Sequence, residues 1–409
     1  MIENSSRLKY SLYINYFVFA ILLNSVGIVI LKSQANYGVN ELDASVLELF
    51  KDLPIAIVSF FIASFLPKIG YKNSMLAGLA LVVLGCVIMY FGNSFLSSKI
   101  LFAIVGVSFA LIKVSVYAMI GQITNTEKEH SSLMSSIEGV FMFGIALAYF
   151  LFPAFNTESN ANAWLNVYWL LATLSVLSFL FLFFTNVKSE EIIEKTDIMK
   201  DFSQMFRLVL GVGVLIFVLS AFLFVMIEQG IMTWLPTFNN KVIRLSQNTS
   251  IMMASILAMS LGLGRLIAGK MATYFSWFQI VIACLVAAMI LVIFVLPMAT
   301  RLPAVASEIN TLSQIPMIAY AFPLVGLFIA PIYPLLNSAI LSSMDKKLHG
   351  SMTGLIVIFS ALGGTLGSRI VGYMFMNLGP QKGFYFTLIP MFLLMIFTFV
   401  LYRMFKKKI

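Results

Sequence analysis

The chain has 409 residues and a net charge of +9, and its composition is 60% hydrophobic but only 11% charged. Soluble domains carry about 25% charged residues, so this composition excludes an ordinary soluble protein and predicts an all-α integral membrane protein. In that class an excess of Lys and Arg is typical of cytoplasmic loops, and the positive charge therefore gives no reason to expect a nucleic acid partner.

Four stretches of the chain contain no charged residue and are each long enough to cross a bilayer as one helix. About 20 apolar residues in a helix span about 30 Å of hydrocarbon. These stretches are Asn73–Phe95, Ala163–Asn186, Phe275–Ala299 and Gly383–Tyr402. Together with apolar segments that contain isolated charges, they predict about twelve membrane-spanning helices, called spans below. In chain order the predicted spans are residues 10–31, 47–69, 73–95, 100–124, 131–153, 163–186, 208–236, 247–271, 275–299, 315–342, 349–376 and 383–403.

The most charged segment, residues 187–207, separates the sixth predicted span from the seventh. It predicts a cytoplasmic linker between an N-terminal six-helix bundle, residues 1–186, and a C-terminal six-helix bundle, residues 208–409. Weak matches about half a chain apart, such as the segments that begin at Gly106 and Gly326, indicate that the bundles form a parallel pseudo-repeat. Parallel repeats of this kind are known among transporters.

The distribution of basic residues predicts the orientation of the chain. With both termini in the cytoplasm, inner segments hold 16 of the 26 Lys and Arg residues and outer segments hold 6. Lys32 counts among the outer six because it follows the first predicted span directly. This excess predicts a multi-pass protein of a cell inner (cytoplasmic) membrane with both termini cytoplasmic.

Charged residues within the predicted spans mark the first candidate site. Lys113 and Glu138 lie at similar depths in the adjacent fourth and fifth spans, where an ionised side chain costs at least about 2.5–3.5 kcal/mol. One interpretation is a structural salt bridge between the two spans. The other is that Lys113 binds an anionic group of a substrate and Glu138 is a proton-sensitive counter-charge.

Polar residues in other spans are further candidates for substrate binding. Glu228 and Gln229 are placed in the outer third of span seven, where Glu228 could also load a proton. Tyr333 and Asn337 in span ten are four residues apart and so share a helix face. The repeat pairs Tyr333 with Lys113 and Asn337 with Tyr117. Two more substrate-binding candidates are Tyr117 and Asn24.

Two arginines are interpreted as gating residues. Arg265, near the inner end of span eight, is expected to bond carbonyls or an acid of a cytoplasmic gate. Arg369 lies among glycines in span eleven and is expected to be structural or gating. Lys51 and Asp52, near one end of span two, are expected to snorkel or to pair locally.

The sequence lacks the motifs of several other protein classes. It has no phosphate-binding G-x-x-x-x-G-K-[ST] loop, no Cys/His cluster with metal-ligand spacing and no Ser/His/Asp arrangement. Cys86 and Cys284 fall in apolar stretches, which is typical of buried thiols. We therefore expect neither an enzyme nor a cofactor or metal.

The chain resembles the major facilitator superfamily in its six-plus-six spans, central charged linker and parallel halves. The superfamily's loop between spans two and three reads G-x-x-x-D-R-x-G-R, and the segment Ala63–Lys72 matches its basic residues and its glycine. The resemblance implies gating roles for Lys68 and Gly70. Pro67 stands where the superfamily has its acid, so the resemblance does not extend to the cytoplasmic latch made by that acid.

A more local resemblance connects three spans with the fucose/hexose–proton symporter branch. It rests on Glu228–Thr237, on Gly264-Arg265-Leu266 and on Pro331-Ile-Tyr333-Pro334. That branch usually carries acids in spans one and four, whereas here span four carries Lys113.

Together these resemblances imply a monomeric secondary transporter that works by alternating access. We expect proton-coupled uptake of a small carboxylate-bearing solute or a sugar, with protons and the lipid bilayer as its other partners. A multidrug or metabolite exporter and a non-transporting membrane receptor are the alternatives.

Overall fold

A computed structural model describes residues 2–124, 127–157, 160–186, 207–300, 315, 317–342 and 349–406. Almost all of the predicted linker, residues 187–207, lies outside these described residues. Within the described ranges the chain consists of helices joined by short turns, and these ranges contain no β-strand. The all-α prediction is therefore confirmed.

Eight helices lie in the N-terminal part of the chain. They are α1 (Ile2–Asn24), α2 (Val26–Tyr37), α3 (Glu41–Ala44), α4 (Val46–Ile69), α5 (Tyr71–Gly92), α6 (Phe95–Ile123), α7 (Glu127–Ala154) and α8 (Val167–Phe183), with a 3-10 turn at Ala163–Asn166 before α8.

The C-terminal part carries nine further described helices. They are α9 (Val212–Lys241), α10 (Gln247–Met271), α11 (Trp277–Thr300), α12 (Met317–Ala321), α13 (Val325–Ile329), α14 (Ile332–Ser342), α15 (His349–Leu378), α16 (Pro380–Tyr385) and α17 (Leu388–Lys406), with a 3-10 turn at Phe322–Leu324 between α12 and α13.

Eleven helical segments among the described residues are long and apolar enough to cross a membrane. The remaining predicted span, residues 47–69, coincides with the 24-residue helix α4. The expected set of about twelve spans is therefore confirmed. Two helices run further than predicted, because α2 continues to Tyr37 and α9 continues through Pro236 to Lys241.

By their internal contacts the described residues fall into two compact units. The first contains those within 1–29 and 47–198, and the second contains 30–46 together with those within 199–409. The later part of α2 and the short helix α3 thus belong to the second unit. The predicted division had placed 30–46 in the N-terminal bundle.

The turn between α5 and α6 shows how local sequence ends one span and begins the next. Asn93 adopts a left-handed conformation (φ 35°) after α5, a role that Asn fills readily. Ser94 and Ser97 then form a reciprocal capping box that opens α6. With two residues between the helices, α5 and α6 become packed neighbours.

Proline breaks the predicted tenth span into several pieces. The helix passes through the 3-10 turn at Phe322–Leu324, stops at Ile329 and resumes at Ile332. Pro323 and Pro331 lie at these breaks. Proline has no backbone N–H to donate, and in a regular helix its ring clashes with the carbonyl group four residues earlier. Such breaks are tolerated in a membrane helix where neighbouring protein satisfies the freed backbone groups.

Within each half, one pair of helices packs closely at a glycine, and the two glycines occupy corresponding positions in the repeat. A Cβ atom added at Gly106 in α6 would lie 2.3 Å from the Lys51 carbonyl oxygen of α4. A Cβ atom added at Gly326 in α13 would lie 2.9 Å from the Leu257 carbonyl oxygen of α10. Span four therefore packs on span two as span ten packs on span eight. This equivalence supports the pseudo-repeat.

Candidate substrate and proton site

Lys113 lies in the middle of α6 and is partly buried. Its Nζ atom is 5.7 Å from the ring centre of Phe109 and 5.9 Å from that of Tyr117, distances at which an aromatic face attracts a cation. Among the described residues no carboxylate oxygen lies within 4.0 Å of this Nζ atom. The ammonium group therefore has aromatic neighbours but no close counter-ion.

Tyr117, one turn further along α6, is the residue that contacts Glu138. Its hydroxyl donates a 2.8 Å hydrogen bond to Oε1 of Glu138 on α7. The two spans are thus connected by a tyrosine–carboxylate hydrogen bond, and the direct Lys113–Glu138 salt bridge that the sequence left open is not formed here.

An aromatic cluster surrounds this hydrogen bond. The ring centre of Tyr16 on α1 is 6.3 Å from that of Tyr117, 6.2 Å from that of Phe109 and 5.5 Å from that of Phe141. Tyr16 is only 1% exposed. The Tyr117 hydroxyl that binds Glu138 therefore belongs to a group of packed aromatic side chains.

Glu228 lies in the middle of its helix rather than in the outer third that the sequence predicted. It is 16 residues after Val212 and 13 residues before Lys241, because α9 extends beyond the predicted span. Nη2 of Arg265 on α10 donates to Oε1 of Glu228 at 3.4 Å. Arg265, which the sequence predicts to be a gating residue, therefore pairs with Glu228, which it predicts to bind substrate.

The polar groups of span ten lie on α14. The Tyr333 hydroxyl is 3.2 Å from Oγ of Ser360 on α15, and the Tyr333 ring stacks on Phe224 of α9 at 5.3 Å. Asn337 follows one turn later on the same helix. Gln229 is partly exposed directly after Glu228 on α9. The structure thus places Tyr333 against α9, the helix that carries Glu228 and Gln229.

Asn24 and the predicted loop motif have local roles in the structure. Nδ2 of Asn24 donates to the Ala20 carbonyl oxygen at 2.9 Å, at the end of α1. Gly70 separates α4 from α5 with φ at +88°, a conformation that glycine adopts without steric cost. The Lys68 side chain lies outside the described residues. Lys72 donates to the carbonyl oxygens of Phe183 and Thr185, both at 2.8 Å, beyond the end of α8.

Arg369 on α15 binds the segment that leads into α4. Its Nη1 atom donates to the Leu42 carbonyl oxygen at 3.0 Å. In the same region Lys241 pairs with Glu41, and Nε1 of the fully buried Trp234 donates to the Ser368 carbonyl oxygen at 2.9 Å. The contacts made by Arg369 and Lys241 hold helix α3 onto α15 and α9. The gating role of Arg369 stays a prediction.

Two further buried ionic groups lie outside the predicted site, and one of them shows the local pairing expected for Lys51 and Asp52. Lys32 is 4% exposed inside α2, although it was counted as an outer-segment residue. On α4, Nζ of Lys51 lies 2.5 Å from Glu48 and 3.5 Å from Asp52, and all three residues are buried. The i,i+3 spacing of Glu48 and Lys51 was a signal that could have identified this cluster.

The ionic side chains of the candidate site lie on helices. The described residues contain no group of three or more His, Cys, Asp or Glu that could hold a metal ion. Cations, carboxylates and tyrosines that lie in apolar helices are typical of membrane proteins that move polar solutes. The fold and the site therefore define a helical transporter built from two six-helix halves.

Comparison with known proteins identifies the family. The family model of the Major Facilitator Superfamily matches residues 12–368, so the chain belongs to this superfamily. No curated protein sequence matches the chain.

Solved structures of the same fold cover nearly the whole chain. A bacterial homolog of the human lysosomal transporter Spinster, in an inward-facing and unoccupied conformation, is similar with a TM-score of 0.75 and 13% identity over 99% of this chain and 98% of that one. The nucleoside transporter NupG has a TM-score of 0.73 and 15% identity over 97% and 100%. The transporter FucP in the outward conformation has a TM-score of 0.64 and 13% identity over 96% and 98%.

Proposed function

We propose that this transporter carries out proton-coupled uptake of a small carboxylate-bearing solute across a cytoplasmic membrane, with both termini in the cytoplasm. The observation that carries the proposal is the position of Lys113, which is an ammonium group in mid-helix with aromatic neighbours and no described carboxylate within 4.0 Å. A charge in this environment is costly without an anionic partner, and a substrate carboxylate would supply one.

Proton coupling is assigned to Glu138 and Glu228. Glu138 accepts the Tyr117 hydroxyl hydrogen bond, and Glu228 accepts from Arg265. Protonation of either carboxylate removes the charge that its donor stabilises, and this would change the local contacts of α6 with α7 or of α9 with α10. A membrane carboxylate whose partner sits on a neighbouring helix can thereby convert a proton into helix movement.

The remaining candidate residues have supporting roles in this proposal. Gln229, Tyr333 and Asn337 would hydrogen-bond the uncharged polar groups of the solute, with Tyr117 and Asn24 as further polar contacts. Lys68, Gly70, Arg265 and Arg369 would control the gates. The neutral donors and acceptors on α9 and α14 also suit a sugar, which is the second candidate substrate because hydroxyl groups need such partners.

Transport into proteoliposomes tests the role of Lys113. Labelled organic acids are compared with neutral sugars of similar size, in wild-type protein and in Lys113→Ala. Loss of one charge-assisted hydrogen bond, at about 1.5–3 kcal/mol, predicts that acid uptake at low solute concentration falls by about tenfold to a hundredfold. Protein yield and thermal stability are measured in parallel to show that the variant inserts and folds.

Lys99→Ala is the matched control because Lys99 lies on the same helix and contacts the Phe95 ring at 4.5 Å. It should keep uptake within about twofold of wild type. Normal acid uptake by Lys113→Ala would eliminate the binding role of this lysine. Sugar uptake without acid uptake would favour the second candidate, dye efflux would identify an exporter, and absence of any flux would indicate a receptor.

A further inference from the structure

Lys32 is a second lysine that the apolar interior encloses without a carboxylate. It lies in α2, in the part of that helix that belongs to the second unit, and only 4% of it is exposed. Its Nζ atom donates a 2.9 Å hydrogen bond to Oε1 of Gln247. Among the described residues no carboxylate oxygen lies within 4.0 Å of it.

The acids nearest to Lys32 in the chain have other partners. Glu41 pairs with Lys241, and the carboxylate of Asp43 accepts a hydrogen bond from Nδ2 of Asn40 at the start of α3, while Oδ1 of Asn40 accepts from the Asp43 backbone N–H. The side chains that could neutralise Lys32 from its own segment are therefore already occupied. One neutral amide oxygen satisfies one of the three donors of an ammonium group and none of its charge.

The position of Gln247 adds a second feature that favours an anion. Gln247 is the first residue of α10, a helix of 25 residues, and Ser246 caps its N-terminus. The N-terminus of a helix carries a partial positive charge and attracts anions. A buried ammonium group next to such an end concentrates positive charge, which a bound anion would offset.

We infer that Lys32, together with Gln247 at the N-terminus of α10, forms a binding site for a small carboxylate anion. The ammonium group supplies the charge, and the Gln247 amide orients the ligand through its NH2 group. This site goes beyond the proposed function, because that function assigns carboxylate recognition to Lys113 in the other unit. It would give the transporter a second point of selection for anionic solutes.

Anion-dependent thermal unfolding of the purified full-length protein tests the inference, with acetate as the probe. Sodium acetate is raised from about 5 mM to about 200 mM, and we expect the wild-type melting temperature to rise by about 2 °C or more. In a Lys113→Ala background, which removes acetate binding at Lys113, adding Lys32→Gln should abolish this rise. Lys270→Gln removes an exposed lysine at the C-terminal end of α10, the helix that begins with Gln247, and this variant should retain the rise.

A second variant keeps the lysine and fills the site. Gln247→Glu places a carboxylate where the amide oxygen now accepts from Lys32. In the Lys113→Ala background, free acetate should then no longer raise the melting temperature, and the melting temperature at low acetate should exceed that of Lys113→Ala alone. This variant remains informative if Lys32→Gln folds poorly.

Lys113→Ala separates this inference from the proposed function. If the Lys32 site exists, Lys113→Ala retains the acetate response, whatever its effect on transport. An acetate response that persists in Lys113→Ala/Lys32→Gln, or that is absent from Lys113→Ala, overturns the inference. So does a wild-type protein that shows no acetate response.

Discussion

At the scale of single residues, Tyr117 changes the interpretation of the Lys113–Glu138 pair. Its hydroxyl is the group that contacts Glu138, at 2.8 Å, and its ring faces Lys113 at 5.9 Å. The tyrosine therefore contacts the cation through its π face and the carboxylate through its hydroxyl. Under the proposed function this arrangement leaves Lys113 available to a substrate while Glu138 is stabilised by a neutral donor.

Replacement of Tyr117 by Phe tests this division of roles. The ring and its contact with Lys113 are kept, but the hydrogen bond to Glu138 is lost. A hydrogen bond to a charged group contributes about 1.5–3 kcal/mol, so we expect a lower melting temperature and a shift in the pH at which uptake is half-maximal.

The measurements for Tyr117→Phe are thermal unfolding in detergent and uptake across a pH series. Tyr13→Phe, on α1, is a control for the general effect of removing a tyrosine hydroxyl. An unchanged pH profile for Tyr117→Phe would exclude Glu138 as the group that sets this dependence.

The cluster of Glu48, Lys51 and Asp52 is a separate prediction at the residue scale. One lysine serves two carboxylates, and none of the three residues is more than 8% exposed. Lys51→Met leaves both carboxylates buried without their cation, which should lower the free energy of unfolding by about 3–5 kcal/mol. Thermal unfolding in detergent measures the loss.

Two further variants serve as comparisons for Lys51→Met. In Glu48→Gln/Lys51→Met/Asp52→Asn all charges of the cluster are removed, and most of the stability should return because no uncompensated ion remains. Lys99→Met, on α6, should change stability by about 0.5 kcal/mol or less. A Lys51→Met protein as stable as wild type would show that the cluster carries no such charge balance.

At the scale of helices, close backbone contacts depend on particular glycines. A Cβ atom added at Gly264 on α10 would lie 2.5 Å from the Leu327 carbonyl oxygen of α13, whereas a Cβ atom added at Gly262 would meet no atom within 4 Å. These two glycines are two residues apart on one helix and so provide a matched pair. Backbone atoms cannot move aside as a flexible side chain can, so the first substitution must separate the helices.

Gly264→Ala should therefore lower the stability by about 1–3 kcal/mol, the usual cost of overpacking. Gly262→Ala should raise it by up to about 1 kcal/mol, because alanine is the better helix former and the added methyl group has space. Melting temperatures of the two purified variants measure the difference. Equal effects of the two substitutions would contradict the α10–α13 contact.

The helices were largely predictable from the sequence because lipid demands long apolar segments with internally satisfied backbones. Their ends were less predictable. Lys32 follows an apolar run and was taken as the end of span one, but α2 continues to Tyr37 and buries this residue. Hydropathy cannot distinguish a lysine at the membrane surface from one enclosed by other helices, because that depends on tertiary contacts.

The candidate site was predictable in its residues but not in its pairs. Charged residues in apolar spans are conspicuous, so Lys113, Glu138, Glu228 and Arg265 could be identified individually. Their partners depend on helix rotation and depth, which a one-dimensional pattern does not contain. The Glu228–Arg265 contact was consequently missed, because the extent of α9 shifted the depth of Glu228 relative to its expected position.

At the scale of the whole molecule, the chain belongs to the Major Facilitator Superfamily and has its arrangement of helices. Related folds occur in a nucleoside transporter and in FucP, but at 13–15% identity they show the fold alone. Under the proposed function, the choice of substrate in this chain depends on its own ionic groups. In each half a partly buried carboxylate receives a hydrogen bond from an adjacent helix, which is the feature that the proposed proton coupling requires.

Simultaneous recording of solute and proton movement in proteoliposomes tests the central claim most directly. A pH-sensitive dye is enclosed, and a labelled organic acid identified in the uptake panel is added outside. The account predicts solute accumulation accompanied by acidification of the interior, driven faster by an inward proton gradient and lost in Lys113→Ala. Accumulation at the same rate with and without the gradient, and with no change in internal pH, would contradict it.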